Sequence, residues 1–119
     1  MNAHNPGGSV RYAVTDDVFG RAIFAGDNDC HRLMLSRQLY ASEVDEPYVL
    51  FVGLNPSTAS ASFDDPTVRR EWNFAKRWGF RAMVKCNVMS YRATFPKDLL
   101  SIGTPSHPGN LPTILEYAK

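Results

Sequence analysis

The run YVLFVGL, residues 48–54, limits what this chain can become more than any other stretch. It is apolar at both alternating sets of positions, so as a strand it needs cover on both faces, as at the centre of a mostly parallel sheet. From Pro66 to Phe80 the period changes. Val68, Trp72, Ala75 and Trp78 or Gly79 recur at helical spacing, between Arg69, Arg70, Glu71, Lys76 and Arg77. Asp65 supplies an N-cap, Pro66 the first helical position and Gly79 a stop. A second buried strand, AMVKCNV at 82–88, follows after one short connection. Strand, helix and strand of these lengths make a right-handed crossover, so the two strands are expected to run parallel.

The flanks fit around this unit. VRYAV and RAIFA are short β-prone stretches joined by the turn-rich TDDVFG. HRLMLSRQL, residues 31–39, favours an antiparallel strand with one wet face. FPKDLL begins a short helix with Thr94 as cap and Pro96 in its first turn, and LPTILEYAK forms a last helix capped by Asn110. Residues 1–9 read as a flexible polar tail and 10–119 as one α/β domain of three layers: a central mostly parallel sheet, antiparallel N-terminal strands and helices on both faces. A helix placed like the last one normally leads back to a strand, so the chain reads as cut short at its C-terminus.

Composition narrows the function classes. The 119 residues suit one domain, and 44% hydrophobic with 21% charged residues argues against wholesale disorder. Thirteen basic against twelve acidic residues leave a net charge of +1, with no general pull towards duplex DNA or anionic membrane. Cys86 lies in an apolar stretch and reads as a reduced core thiol, whereas Cys30 sits in a different pattern. His4, His31 and His107 show no metal-ligand spacing, and nothing calls for a cofactor. The start resembles no signal peptide and no run approaches membrane-spanning length, so a soluble, cytoplasmic protein is expected.

Ligands of open α/β sheets bind beyond the carboxyl ends of the strands. Asn55, Ser57, Thr58, Asp64, Asp65 and Thr67 come after the first central strand; Asn87, Ser90, Tyr91, Arg92 and Thr94 come after the second. Pro56 holds Asn55 extended, and Gly53 permits a close backbone approach. The Asn55 carboxamide can orient a water or read a base edge, or it can stabilise its own turn. Asp65 serves as helix cap, which leaves Asp64 without an assigned partner. Arg92 can pair with Asp64 or Asp65, or meet a phosphate. The amides of Ser57 and Thr58 offer a seat for an oxyanion or phosphate.

Taken together, LNPSTAS, DDPT, CNV, YRAT and PKDL resemble a family of bacterial and phage proteins, the domain-of-unknown-function family numbered 1643. The likeness runs from about Arg21 to the end. Ser60 stands where an acid is frequent, and Val88-Met89 replaces the usual Leu-Phe. The resemblance implies a further strand and terminal segment after Lys119. GLNPS is also distantly similar to the first motif of the mismatch-specific branch of the uracil-DNA glycosylase superfamily. That likeness implies a glycosylase-like fold, with Asn55 positioning the water that attacks the sugar, Asn87 near the base and Phe63 as candidate stacking aromatic. It implies a nucleobase, nucleotide or flipped DNA base as substrate, with Arg92 supplying charge stabilisation. The alternative is a non-catalytic nucleotide- or protein-binding module of phage or bacterial origin; a flat apolar patch at the rim, or a homo-oligomer through an edge strand left by the missing segment, would favour it.

Overall fold

The computed structural model describes residues 4, 6–7, 10–42, 45–95, 98–99 and 102–119. In chain order it contains β1 (Tyr12–Ala13), β2 (Val18–Ala25), a 3-10 turn at Asp27–Asp29, β3 (His31–Leu39), β4 (Val49–Gly53), β5 (Phe63–Asp64), α1 (Pro66–Arg77), β6 (Ala82–Asn87) and α2 (Asn110–Tyr117). Four strands make one mixed sheet in the order β2-β3-β6-β4, and β1 pairs with β5 in a separate ribbon.

The crossover forms as the sequence requires. β4 and β6 are parallel, from Val49 opposite Met83 to Gly53 opposite Asn87, with α1 between them. The Asp65 carboxylate caps α1, its Oδ1 accepting the Val68 N–H at 2.8 Å, and Gly79 ends the turn at φ +90°. Val68, Trp72 and Ala75 pack with Val18, Leu35 and Met83 to make the core on the α1 side. On the other face Met34, Val84 and Cys86 meet Ile114 and Tyr117 of α2. The three layers are therefore helix, sheet and helix.

Four expectations are corrected. The sheet is not mostly parallel: among the described strands only β4–β6 is parallel, because β3 arrives as the second arm of a hairpin with β2 and inserts antiparallel beside β6. β4 lies at the edge rather than the centre. A continuous apolar run reports two covered faces and says nothing of two paired edges. The inner strands are β3 and β6; β3 is buried from His31 to Leu35, and its predicted wet face is covered. Asn110 opens α2 without capping it. Its Nδ2 donates to Asn87 O at 2.7 Å and to Val88 O at 3.2 Å, stapling the helix to the end of β6. The short helix expected over FPKDLL falls partly on residues 96–97 and 100, outside the described residues.

The first half of β3 carries an irregularity that decides which way Arg32 faces. Ile23 pairs with Met34 but Phe24 pairs with Arg32, leaving Leu33 as an extra residue. Such a bulge reverses the alternation beyond it. Arg32 thereby joins Leu35 and Arg37 on the α1 side, where its guanidinium donates to Ala59 O at 3.2 Å and Asn87 Oδ1 at 3.3 Å.

Arg37 is 0% exposed. Its Nε donates to Asp64 Oδ1 at 2.9 Å, and its Nη2 reaches Ser60 O at 2.6 Å and Phe63 O at 3.1 Å. The second Asp64 oxygen accepts from Arg69 Nε of α1 at 2.7 Å. Asp64 therefore pairs with two arginines, neither of them Arg92. Asp64→Asn strands a fully buried guanidinium and is expected to cost about 3–5 kcal/mol. Arg69→Ala, at the partly exposed end, is expected to cost about 1 kcal/mol or less. Urea titration of the two variants beside the parent checks the contrast.

Candidate functional site

The crossover sets the loops after β4 and β6 side by side, and hydrogen bonds tie them together. Val88 N–H donates to Gly53 O, Met89 N–H to Leu54 O and Ala93 N–H to Pro56 O, at 2.9, 2.9 and 2.7 Å. Asn55 Nδ2 donates to Ala93 O at 2.7 Å and to Pro56 O at 3.2 Å. Both partners are carbonyls, so the orientation of the carboxamide is set by chemistry: nitrogen inward, Oδ1 with no donor among the described residues. Ser57 Oγ and Thr94 Oγ1 share a hydrogen bond across the two loops. Arg92 donates from Nε to Ser57 O at 3.2 Å and from Nη1 to Asp29 O at 2.9 Å, and lies 5.0 Å from the centre of the Phe24 ring. At Gly53 the near neighbours are side-chain ends: a Cβ there would lie 2.8 Å from Lys85 Nζ and 3.0 Å from Asn87 Nδ2.

Between these loops and the start of α1 lies an open cleft of about 380 Å³. Ser57, Thr58, Asp65, Thr67 and Thr94 line it, together with Gly7, Val10, Pro66 and Phe95. The carboxylate of Asp65 occupies the start of the helix, where a bound anion would meet it. The wall is hydroxyls and apolar groups beside one acid. Another cleft of similar size, with Arg21, Gln38, Asp45 and Glu46 among its lining, opens elsewhere on the sheet, but not at the carboxyl edge where ligands of such sheets bind.

The remaining candidate residues, Asn55 and Arg92 among them, are not among those lining the cleft. Phe63 is on β5 with the Arg11 guanidinium 4.4 Å from its ring centre. Asp64 belongs to the buried ion network. Asn87 accepts from Arg32 beneath the loops.

Sequence reasoning missed a layer of buried charge under the site. Lys85 Nζ meets Glu71 Oε2 at 2.5 Å, while Arg32 Nε and Glu71 Oε1 are buried without hydrogen-bond partners. Burial lowers the Arg32 pKa to about 10, so it stays protonated at neutral pH. The signal was available: Arg32 and Arg37 in HRLMLSRQL, and Lys85 in AMVKCNV, interrupt otherwise apolar strands.

The comparison with known families covers most of this architecture. The family described as Protein of unknown function (DUF1643) matches residues 32–119. The chain belongs to that family. The match takes in β3 through α2, and with them both loops and the start of α1, and it begins at Arg32 rather than near Arg21. No curated protein and no solved structure matches the chain. Among the described residues of this DUF1643 domain, no helix is long and apolar enough to cross a membrane.

The fold also gathers all three histidines, which are scattered in sequence. His31 and His107 have ring centres 5.5 Å apart, and His4 stacks edge-on against Tyr91 at 4.8 Å. Ser90 Oγ bonds His31 Nδ1 at 2.8 Å and accepts the His107 N–H at 2.7 Å. His107 Nδ1 accepts the Gly109 N–H at 2.9 Å, at the entry to α2. Burial holds the His31 pKa below its ordinary 6.5, with His107 and His4 adding to the shift. The folded state thus binds fewer protons than the unfolded one. The His31 contribution to stability is fully present above about pH 6.5 and is lost as the pH falls below it. Denaturant midpoints between about pH 7.5 and pH 5 are expected to fall less steeply in His31→Gln than in the parent.

Proposed function

We propose that this DUF1643 domain is a nucleobase- or nucleoside-processing enzyme of N-glycosidase type, working where the loops after β4 and β6 meet, with Asn55 behind Ser57 and Thr58 of the adjoining cleft. The observation that carries the reading is the setting of Asn55. Its nitrogen is committed to Ala93 O and Pro56 O, which leaves Oδ1 as a held acceptor at the carboxyl edge of the sheet. Such an oxygen accepts a hydrogen bond from a water and turns the water's lone pair outward. The oxygen of that water bonds to the anomeric carbon as the C–N bond breaks. The base leaves with the bonding pair and is protonated, and the water's surplus proton passes to solvent.

The cleft suits the polar edge and flat face of a base better than a phosphate. The hydroxyls of Ser57, Thr58, Thr67 and Thr94 offer donors and acceptors, Phe95 and Val10 an apolar wall, and Asp65 repels an anion. Arg92 and Asn87 act in this reading by holding the loops and the layer beneath them.

A second reading, a non-catalytic nucleotide-binding module, is favoured by one observation. No histidine lines the cleft among the described residues, and its one carboxylate already serves as a helix cap. Mass spectrometry of bases released from a panel of modified oligonucleotides and nucleosides separates the two. Release by the parent, reduced about 100-fold or more in a folded Asn55→Ala protein, is the outcome expected of the enzyme. An Asn55→Ala protein that keeps full activity would remove Asn55 from the mechanism. Saturable nucleoside binding without release would make the domain a binding module.

A further inference from the structure

Among the described residues lining the cleft beside the start of α1, one side chain is charged, the carboxylate of Asp65. Asp65 is 6% exposed, and its cap bond to the Val68 N–H uses Oδ1 alone. Its Oδ2 accepts no hydrogen bond from any described residue. A carboxylate this buried ordinarily has donors at both oxygens, so Asp65 points to a group that the described chain does not supply.

The nearby cations are engaged elsewhere. Arg32 donates to Ala59 O and Asn87 Oδ1, Arg69 to Asp64 and Ala13 O, and Arg92 to Ser57 O and Asp29 O. The Asp65 charge acts on Arg32, but the two share no hydrogen bond, and none of these arginines lines the cleft. Phe95 forms the apolar side of the same cleft with Val10. Gly7 packs against the Phe95 ring, where a Cβ would stand 3.3 Å away, and half of Phe95 remains exposed. An aromatic ring and a carboxylate in one cleft favour a planar cation over a neutral or anionic ligand.

We infer, on the N-glycosidase reading above, that the substrate is a nucleoside whose base carries a positive charge, as ring N-alkylation confers. A neutral base must gain a proton as it leaves. The described side chains of the cleft are hydroxyls, apolar groups and a carboxylate that already accepts a cap bond. A cationic base needs no proton. As the water oxygen bonds to the anomeric carbon, the pair of the breaking C–N bond returns to the ring and cancels its charge. The base departs neutral, and the water's surplus proton passes to solvent. Positive charge moves from ring to sugar in that step, so a nearby carboxylate has a partner throughout.

Calorimetric titration of the protein with 7-methylguanosine and guanosine, and with 1-methyladenosine and adenosine, tests this, with release of base followed in the same samples. The pH is set so that the methylated bases are cations. Each is expected to bind about tenfold or more tighter than its neutral counterpart. Asp65→Asn keeps a side chain that caps helices equally well, so it should retain the melting temperature and lose most of that preference. Phe95→Leu, at an exposed position, should narrow the preference as well. Equal affinity for charged and neutral nucleosides, or a preference unchanged in both variants, overturns the inference even if bases are released. So does a folded protein that binds none of the four. Preference for the cations without release of base would keep the ligand class and overturn the reaction.

Discussion

A buried guanidinium organises this domain. Arg37 stands on an inner strand with no exposed surface; besides its neighbour Ser36 O, its donors go to the chain from Ser60 to Asp64, which alone supplies a counter-charge among the described residues. The unpartnered charge would be far too costly to keep, so that segment must fold back over β3 wherever the strand is formed. Asp64 then takes Arg69 as its second partner and fixes the first turn of α1. The loop after β4, the helix start and the sheet are thus set relative to one another by one carboxylate between two arginines. The cleft at the start of α1 is the space this arrangement leaves.

The polar rim has two kinds of residue, and the distinction is one of hydrogen-bond accounting. Arg92 and Asn87 spend donors or acceptors on other parts of the chain, and so hold the loops and the layer beneath in place. Asn55 spends only its nitrogen. The hydroxyls of Ser57, Thr58, Thr67 and Thr94 border the cleft itself. A charge-rich layer beneath them, Arg32 with Lys85 and Glu71, lies in a setting where electrostatic interactions are strong. Rigid support of this sort is what a small hydroxyl-lined cleft needs if its groups are to stay in register with a ligand.

Much of the local structure was legible because the signals are local. Asp65-Pro66 marks the start of α1 through a side-chain cap and a preset φ, and Gly79 marks its end through the left-handed conformation it adopts. The parallel pairing of β4 with β6 follows from the length and handedness of the crossover. Strand order was not legible. The apolar run of β4 encodes the cover on its faces, while its place at the edge depends on where β3 inserts. The polar residues of β3 misled for a related reason: Arg32 and Arg37 look like surface residues until Ala59, Asn87 and Asp64 are found to surround them. Nor does the sequence show that His4, His31 and His107 converge, since they come from three separate segments.

By itself the sequence determined α1 with its beginning and end, the strands β3, β4 and β6, that a crossover brings the two polar loops to one rim, and which family the chain joins. It read Val18–Gly20 of β2 as linker and did not mark β5. Periodicity, capping and turn chemistry act over a few residues, and a linear reading captures them. Only the tertiary structure decided which polar residues face the cleft and which are consumed in holding it. That choice turns on long-range partners: Asn55 with Ala93, Asp64 with Arg37, Arg92 with Asp29. A hydrogen bond between distant segments leaves no mark on the spacing of either one, so a binding group and a fastening look alike until the chain is folded.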